Sequence, residues 1–214
     1  MKKLFVLLAA TAVISSCGLL LGSSSSSSSS SEPAKAAASA APSFSVVSSS
    51  SNQKLFQFKS LPNNVEELKA MKFSFTDPYA VAAMTLAALM RYEASQSDCY
   101  EMLNYLKGPE DLSSYEKNFL KERLQGKFYK VPSFFVGATP GNNYTPEKPY
   151  KIRVKTNSYS FQGENWASMQ LTSGGSDSDR PLKLRKKPST GEWFLNEITC
   201  LADIRTPANA DPWY

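Results

Sequence analysis

The chain has 214 residues, 24 Lys and Arg against 19 Asp and Glu, and no histidine, for a net charge of +5. Without an imidazole there is no Ser-His-Asp triad, no Cys-His dyad and no ordinary zinc site. Once Lys2 and Lys3 are removed, 22 basic residues face 19 acidic ones, a net +3, far short of the basic excess of a nucleic-acid-binding domain, so no nucleic acid is expected as a partner.

The first residues, MKKLFVLLAATAVISSCG, combine two lysines, an apolar run from Leu4 to Ile14 and small residues before Cys17. That is the three-part form of an export signal, expected over residues 1–16. Ile14, Ser15, Ser16 and Cys17 are similar to the lipobox of bacterial lipoproteins, which implies diacylation of Cys17 and a lipid anchor on the outer side of a cell membrane. An uncleaved spanning helix is the alternative, since Gly18 to Leu21 nearly extend the run to the ~20 residues a bilayer requires. Both place the protein outside the cytoplasm. Residues 17–52 are dominated by Ser and Ala, including Ser23 to Ser31, and offer too little apolar surface to offset ordering entropy, so a flexible tether is expected.

Residues 53–214 are expected to form one domain. In LPNNVEELKAMK, Asn63 or Asn64 serves as helix cap and Glu66 and Glu67 oppose the helix dipole. FTDPYAVAAMTLAALMRYEAS has Asp77 as N-cap, Pro78 at the first helical position, and Ala, Leu or Met on nearly every face, which predicts a buried central helix. SDCYEMLNYLKGP predicts a third helix, capped by Ser97 or Asp98 and closed by Gly108. LSSYEKNFLKERLQGK predicts a fourth, with Ser113 and Glu116 as a capping box and Gly126 as terminator.

Beyond the loop FFVGATPGNNYTPEKPY the period changes from helical to alternating. Strands are predicted at Tyr150–Thr156, Trp166–Thr172, Pro181–Lys187 and Glu192–Ile198, the last two joined by the turn PSTG. Helices first and strands after predict an α+β fold, about four N-terminal helices packed on a C-terminal antiparallel meander of about four strands.

Phasing the strands sends Ile152, Val154, Leu182, Leu184, Trp193 and Leu195 inward and Lys151, Arg153, Lys155, Lys183, Arg185, Phe194 and Asn196 outward. Such a face suits an anionic envelope polymer, lipid headgroups or a protein partner; the plainer reading is an ordinary solvated sheet whose cations protect strand edges and are neutralised by loop acids. Asn142, Asn143 and Tyr144 are the loop residues with binding potential, although Pro140, Gly141 and the asparagines are also turn formers. Asp177 and Asp179 in SGGSDSDRP have oxygen ligands for calcium but lack the later glycine and glutamate of an EF-hand, and turn formation or an Asp179–Arg180 ion pair accounts for them; no metal and no cofactor is expected. Glu164, Asp177, Asp179 and Glu192 are the carboxylates available for histidine-free glycoside hydrolysis, with no spacing that selects a pair. Cys99 and Cys200 form one disulfide or remain buried thiols. The apolar end LADIRTPANADPWY is expected to dock on the domain.

The series DPYAVAAMTLAAL, LKGPEDLSSYEKNFLKERL, FFVGATPGNNYTPEKPY, SDRPLKLRKKPSTGEWFLNE and IRTPANADPW resembles a family of bacterial lipoproteins and secreted proteins carrying a domain of unknown function. The resemblance implies a membrane-anchored extracytoplasmic domain and no catalytic residue. The expected function is therefore a non-enzymatic binding domain at the cell envelope, with a carboxylate-dependent enzyme acting on envelope glycans as the alternative.

Overall fold

Strands begin before the first helix. In the computed structural model, which describes residues 41–213, Ser43–Ser50 forms β1 and Gln53–Ser60 forms β2, an antiparallel hairpin. Four helices follow, α1 (Val65–Ala70), α2 (Pro78–Leu89), α3 (Gln96–Lys107) and α4 (Ser114–Leu124), and then β3 (Tyr150–Lys155), β4 (Trp166–Leu171), β5 (Arg180–Lys187) and β6 (Glu192–Glu197). The six strands make one antiparallel sheet in the order β1-β2-β3-β4-β5-β6. The expected arrangement, helices followed by a four-strand meander, is overturned. The helices are instead an insertion between β2 and β3, two strands that pair directly from Gln53↔Lys155 to Phe58↔Tyr150. The signal segment, Cys17 and the serine run Ser23 to Ser31 lie outside the described residues.

The missed hairpin has a physical reason. A strand ladder is made of backbone groups, so SFSVVSSS pairs with β2 despite having few apolar side chains, and composition alone reports none of this. The side chains it does supply suffice: the Phe44 ring lies 6.1 Å from Phe56 and 6.2 Å from Phe58, and those two phenylalanines are buried in the core. QKLFQFKS alternates as a strand should, with Phe56 and Phe58 inward and Leu55 and Gln57 outward.

Local signals for the helices match the structure more closely. Asp77 caps α2 by accepting from the Tyr79 amide, and every residue from Ala80 to Leu89 is buried. Small alanines let α2 lie close against the sheet, where it meets β3 and β6 most extensively. Asn64 caps α1, and Ser113 and Glu116 form the reciprocal capping box of α4. The cap of α3 is Ser95 rather than Ser97 or Asp98. Asp98 falls in the first turn, where its carboxylate opposes the dipole and accepts from the Arg91 guanidinium at 3.0 Å.

The inner sheet face follows the predicted phase: Ile152, Val154, Leu182, Leu184, Trp193 and Leu195 are all buried. The C-terminal segment docks through Leu201, Ile204 and Pro207, and the buried Lys130 ammonium donates to the Leu201 carbonyl at 3.1 Å. Trp213, by contrast, is fully exposed. Cys99 and Cys200 are separate, buried thiols, and burial pushes both up to about 12. They are inert as nucleophiles near neutral pH. Among the described residues no helix is long and apolar enough to cross a membrane.

Candidate functional site: the outer sheet face

The outward residues do not form one cationic field. Lys155 faces Gln170, and Gln170 faces Pro181 across the middle of the sheet. From that line Lys151 lies four residues towards one end and Trp166, paired with Arg185, four residues towards the other. At roughly 3.3 Å per residue the two ends are on the order of 25 Å apart along the strands. Lys151 and Arg153 occupy one end, beside Leu55 and Gln57 of β2. Lys183 and Arg185 occupy the other.

Acids neutralise two of the cations. Lys155 bonds Asp179 at 3.0 Å and Lys183 bonds Glu197 at 2.8 Å. Among the described residues Lys151, Arg153 and Arg185 take part in no ion pair. Arg153 has its Nε buried without a hydrogen-bond partner, an unmet donor of the kind that folded proteins rarely keep. Arg185 places its guanidinium carbon 5.3 Å from the Trp166 ring centre, a cation–π arrangement that leaves the charge unneutralised.

Phe194 is half-buried: it packs beneath β6 and also lines, with Arg185 and Asn196, an open depression of about 300 Å³. Its ring lies 5.2 Å from Phe75, and a Cβ on Gly108, whose φ is +76°, would stand 2.4 Å from it. Asn196 is half-buried at a register shift in β6, and its carbonyl accepts from Lys107 at 3.3 Å.

In the loop into β3, the three candidate residues have intramolecular partners. The Asn142 carboxamide accepts from the amides of Thr139 and Thr145 and donates to the carbonyls of Gly137 and Thr145. Asn143 accepts from the Asn209 amide at 2.9 Å. Tyr144 is buried, stacks on Tyr129 with ring centres 5.6 Å apart and donates its hydroxyl to the Arg205 carbonyl at 2.7 Å. Burial first, and the neighbouring Tyr129 second, push the Tyr144 phenol up to about 12.

The candidate carboxylates are dispersed. Asp177 pairs with Arg205, and Asp179 bonds Thr172 at 2.8 Å as well as Lys155. The expected Asp179–Arg180 pair is replaced by Arg180 with Asp203. Glu192 sits opposite Lys187 at the β5–β6 turn, while Glu164 is exposed before β4. Among the described residues no group of three potential ligands is arranged for a metal ion.

A model of the family described as Domain of unknown function (DUF6935) matches residues 60–208. The chain belongs to that family. Comparison with curated proteins and with solved structures gives no match. The DUF6935 match begins at the last residue of β2 and covers all four helices and β3 to β6. Trp166, Arg185, Lys151 and Arg153 therefore lie within the DUF6935 domain, whereas Leu55 and Gln57 precede it.

Sequence reasoning passed over Tyr159 and Phe161, in the connection between β3 and β4, and read Trp166 only as the first residue of a strand. Tyr159, Phe161 and Trp166 are 70%, 48% and 44% exposed. The signal was present in YSFQGENW, three large aromatics within eight residues, beside a glycine and polar residues where no strand alternation assigns them to the core.

Proposed function

We propose that the protein is a lipid-anchored, extracytoplasmic binding domain that engages an anionic component of the cell envelope through its outer sheet face. The observation that carries the binding reading is the set of outer-face cations, Lys151, Arg153 and Arg185, that have no carboxylate partner among the described residues. A desolvated, unpaired guanidinium is costly unless an anion completes it, and Arg153 already has its Nε buried. The anchoring reading rests on the sequence: export features in residues 1–16, a lipobox-like Ile14–Cys17, and a tether rich in Ser and Ala. A diacylglycerol on Cys17 brings two acyl chains, and at roughly 0.8 kcal/mol per buried CH₂ two chains anchor stably.

Two experiments test this function. Replacing Cys17 by Ser is expected to abolish fatty-acid labelling and move the chain from the membrane pellet to the soluble fraction; an unlabelled wild type, or a variant that stays in the pellet, sinks the anchor. On immobilised heparin, a general polyanion, the full chain is expected to be retained at low salt and the triple variant K151Q/R153Q/R185Q to elute early. Loss of retention near 0.15 M salt fits exposed charges, since the screening length there is about 8 Å. Equal retention of the triple variant and the wild type would place the binding elsewhere.

A further inference from the structure

We propose that Trp166, Tyr159 and Arg185 form a stacking subsite for an acidic polysaccharide, with a sugar ring against Tyr159 and the Trp166 face not covered by Arg185, and its carboxylate on the guanidinium. The inference rests on the envelope-binding reading and names its ligand class. Exposed aromatics scattered singly need no explanation, but a cluster rimmed by polar groups marks a binding surface. Here three exposed aromatics fall between Tyr159 and Trp166. Tyr159 and Trp166 line an open depression of about 490 Å³ whose wall also includes Gln162, Ser168, Lys183 and Glu197, and Arg185 adjoins it through its contact with the Trp166 ring.

The site is held in place before any ligand arrives. Ser160 is buried, its carbonyl accepts from the Ser168 amide at 2.8 Å, and its hydroxyl accepts from the Asn157 amide at 3.0 Å. The Asn157 side chain accepts in turn from the Tyr159 amide at 2.9 Å. Gly163 lies so close to the indole that a Cβ there would be 3.1 Å from Trp166 Cδ1. Phe161 is braced edge-on against Trp193 with ring centres 5.9 Å apart. A backbone fixed in this way around Tyr159 and Trp166 has little freedom left to lose on binding, which favours affinity.

The chemistry of the rim selects the occupant. The electron-rich face of an aromatic ring attracts the weakly positive C–H face of a pyranose, and the hydroxyls of a sugar find donors and acceptors in Gln162 and Ser168. Arg185 has no ion pair among the described residues, and its planar fork matches a carboxylate. Lys183 is already neutralised by Glu197, and Glu164 is exposed close by in the chain. A single guanidinium seated on the Trp166 ring suits an acid group spaced along a polysaccharide. It suits the dense negative charge of a lipid surface less well, because the exposed Glu164 carboxylate has no cation partner among the described residues.

The test titrates the full chain with polygalacturonate, with neutral dextran and with phosphatidylglycerol vesicles, following binding by calorimetry. Polygalacturonate is expected to bind, with affinity at least tenfold weaker in W166A and at least fivefold weaker in R185Q, while Tyr115→Ser, an exposed aromatic on α4, binds as wild type. Melting curves check that W166A remains folded, and W166F is expected to recover part of the loss. Equal binding by W166A and wild type overturns the subsite, as does binding to vesicles but not to polygalacturonate. If heparin retains the chain while polygalacturonate does not bind, this inference fails alone; if neither binds, the envelope-binding reading fails with it.

Discussion

The connection Phe134–Tyr150 and the connection Asn157–Asn165 flank the same strand, β3, and differ in where their side chains go. In the first, Phe134, Phe135 and Tyr144 are buried and the Asn142 carboxamide closes four hydrogen bonds within the loop. Asn143 and Tyr144 even adopt left-handed backbone, at φ of +52° and +55°, a conformation that costs on the order of 1 kcal/mol at each non-glycine residue. Packing of the Tyr144 ring and its hydrogen bond offset that cost. In the second connection the backbone is fastened through Asn157 and Ser160 while Tyr159, Phe161 and, at the start of β4 just beyond it, Trp166 stay exposed. A concentration of Pro, Gly and Asn thus marks a constrained path for the chain, and aromatics left outside the core mark a surface with something to meet.

The largest break in this comparison is expected from Tyr144→Ala. Removing a buried aromatic costs about 3 to 5 kcal/mol, read as a lowered denaturant midpoint. Next comes Gly175→Ala, whose Cβ would stand 2.0 Å from the Tyr144 hydroxyl oxygen; overpacking of that kind costs about 1 to 3 kcal/mol, and combining it with Tyr144→Phe should recover part of the loss. Asn142→Ala is expected to cost about 1 kcal/mol, the net value of a single hydrogen bond rather than of four, because the groups it leaves in this exposed loop rebond to water.

Alkaline pH sharpens the contrast further. The folded pKa of Tyr144, about 12, lies above its usual value near 10. Its contribution is therefore complete below pH ~10 and is lost as pH rises from there through about 12. The difference in stability between wild type and Y144F is expected to narrow over that window; a constant difference would mean the phenol is not held neutral by the fold. The smallest effect is expected from Trp166→Ala, a change in stability within about 0.5 kcal/mol, so that any loss of polysaccharide binding reports the surface itself. A large destabilisation by Trp166→Ala would make the second connection as architectural as the first.

Much of the local structure was legible in residues 53–214. Asp77 with Pro78 announced α2, Ser113 with Glu116 announced α4, and alternation placed Ile152, Val154, Leu182 and Leu184 in the core. The candidate surface was less legible. Its cations could be phased outward, yet nothing local indicated that Asp179, 24 residues beyond Lys155, and Glu197, 14 residues beyond Lys183, would neutralise two of them. Nor did Phe194 announce that it would pack against Phe75 and Gly108.

The division follows from the range of the forces. Helix caps, turn formers and the two periodicities act over a few residues, so the sequence by itself determined where α2 and α4 begin and which way the β3 to β6 side chains point. Only the tertiary structure decided that the serine-rich Ser43–Ser50 becomes a strand, that β2 reaches across four helices to pair with β3, and that the helices are inserted within the sheet instead of preceding it. Those outcomes depend on backbone hydrogen bonds between segments far apart in the chain, and the backbone groups that make them are the same for nearly every residue type.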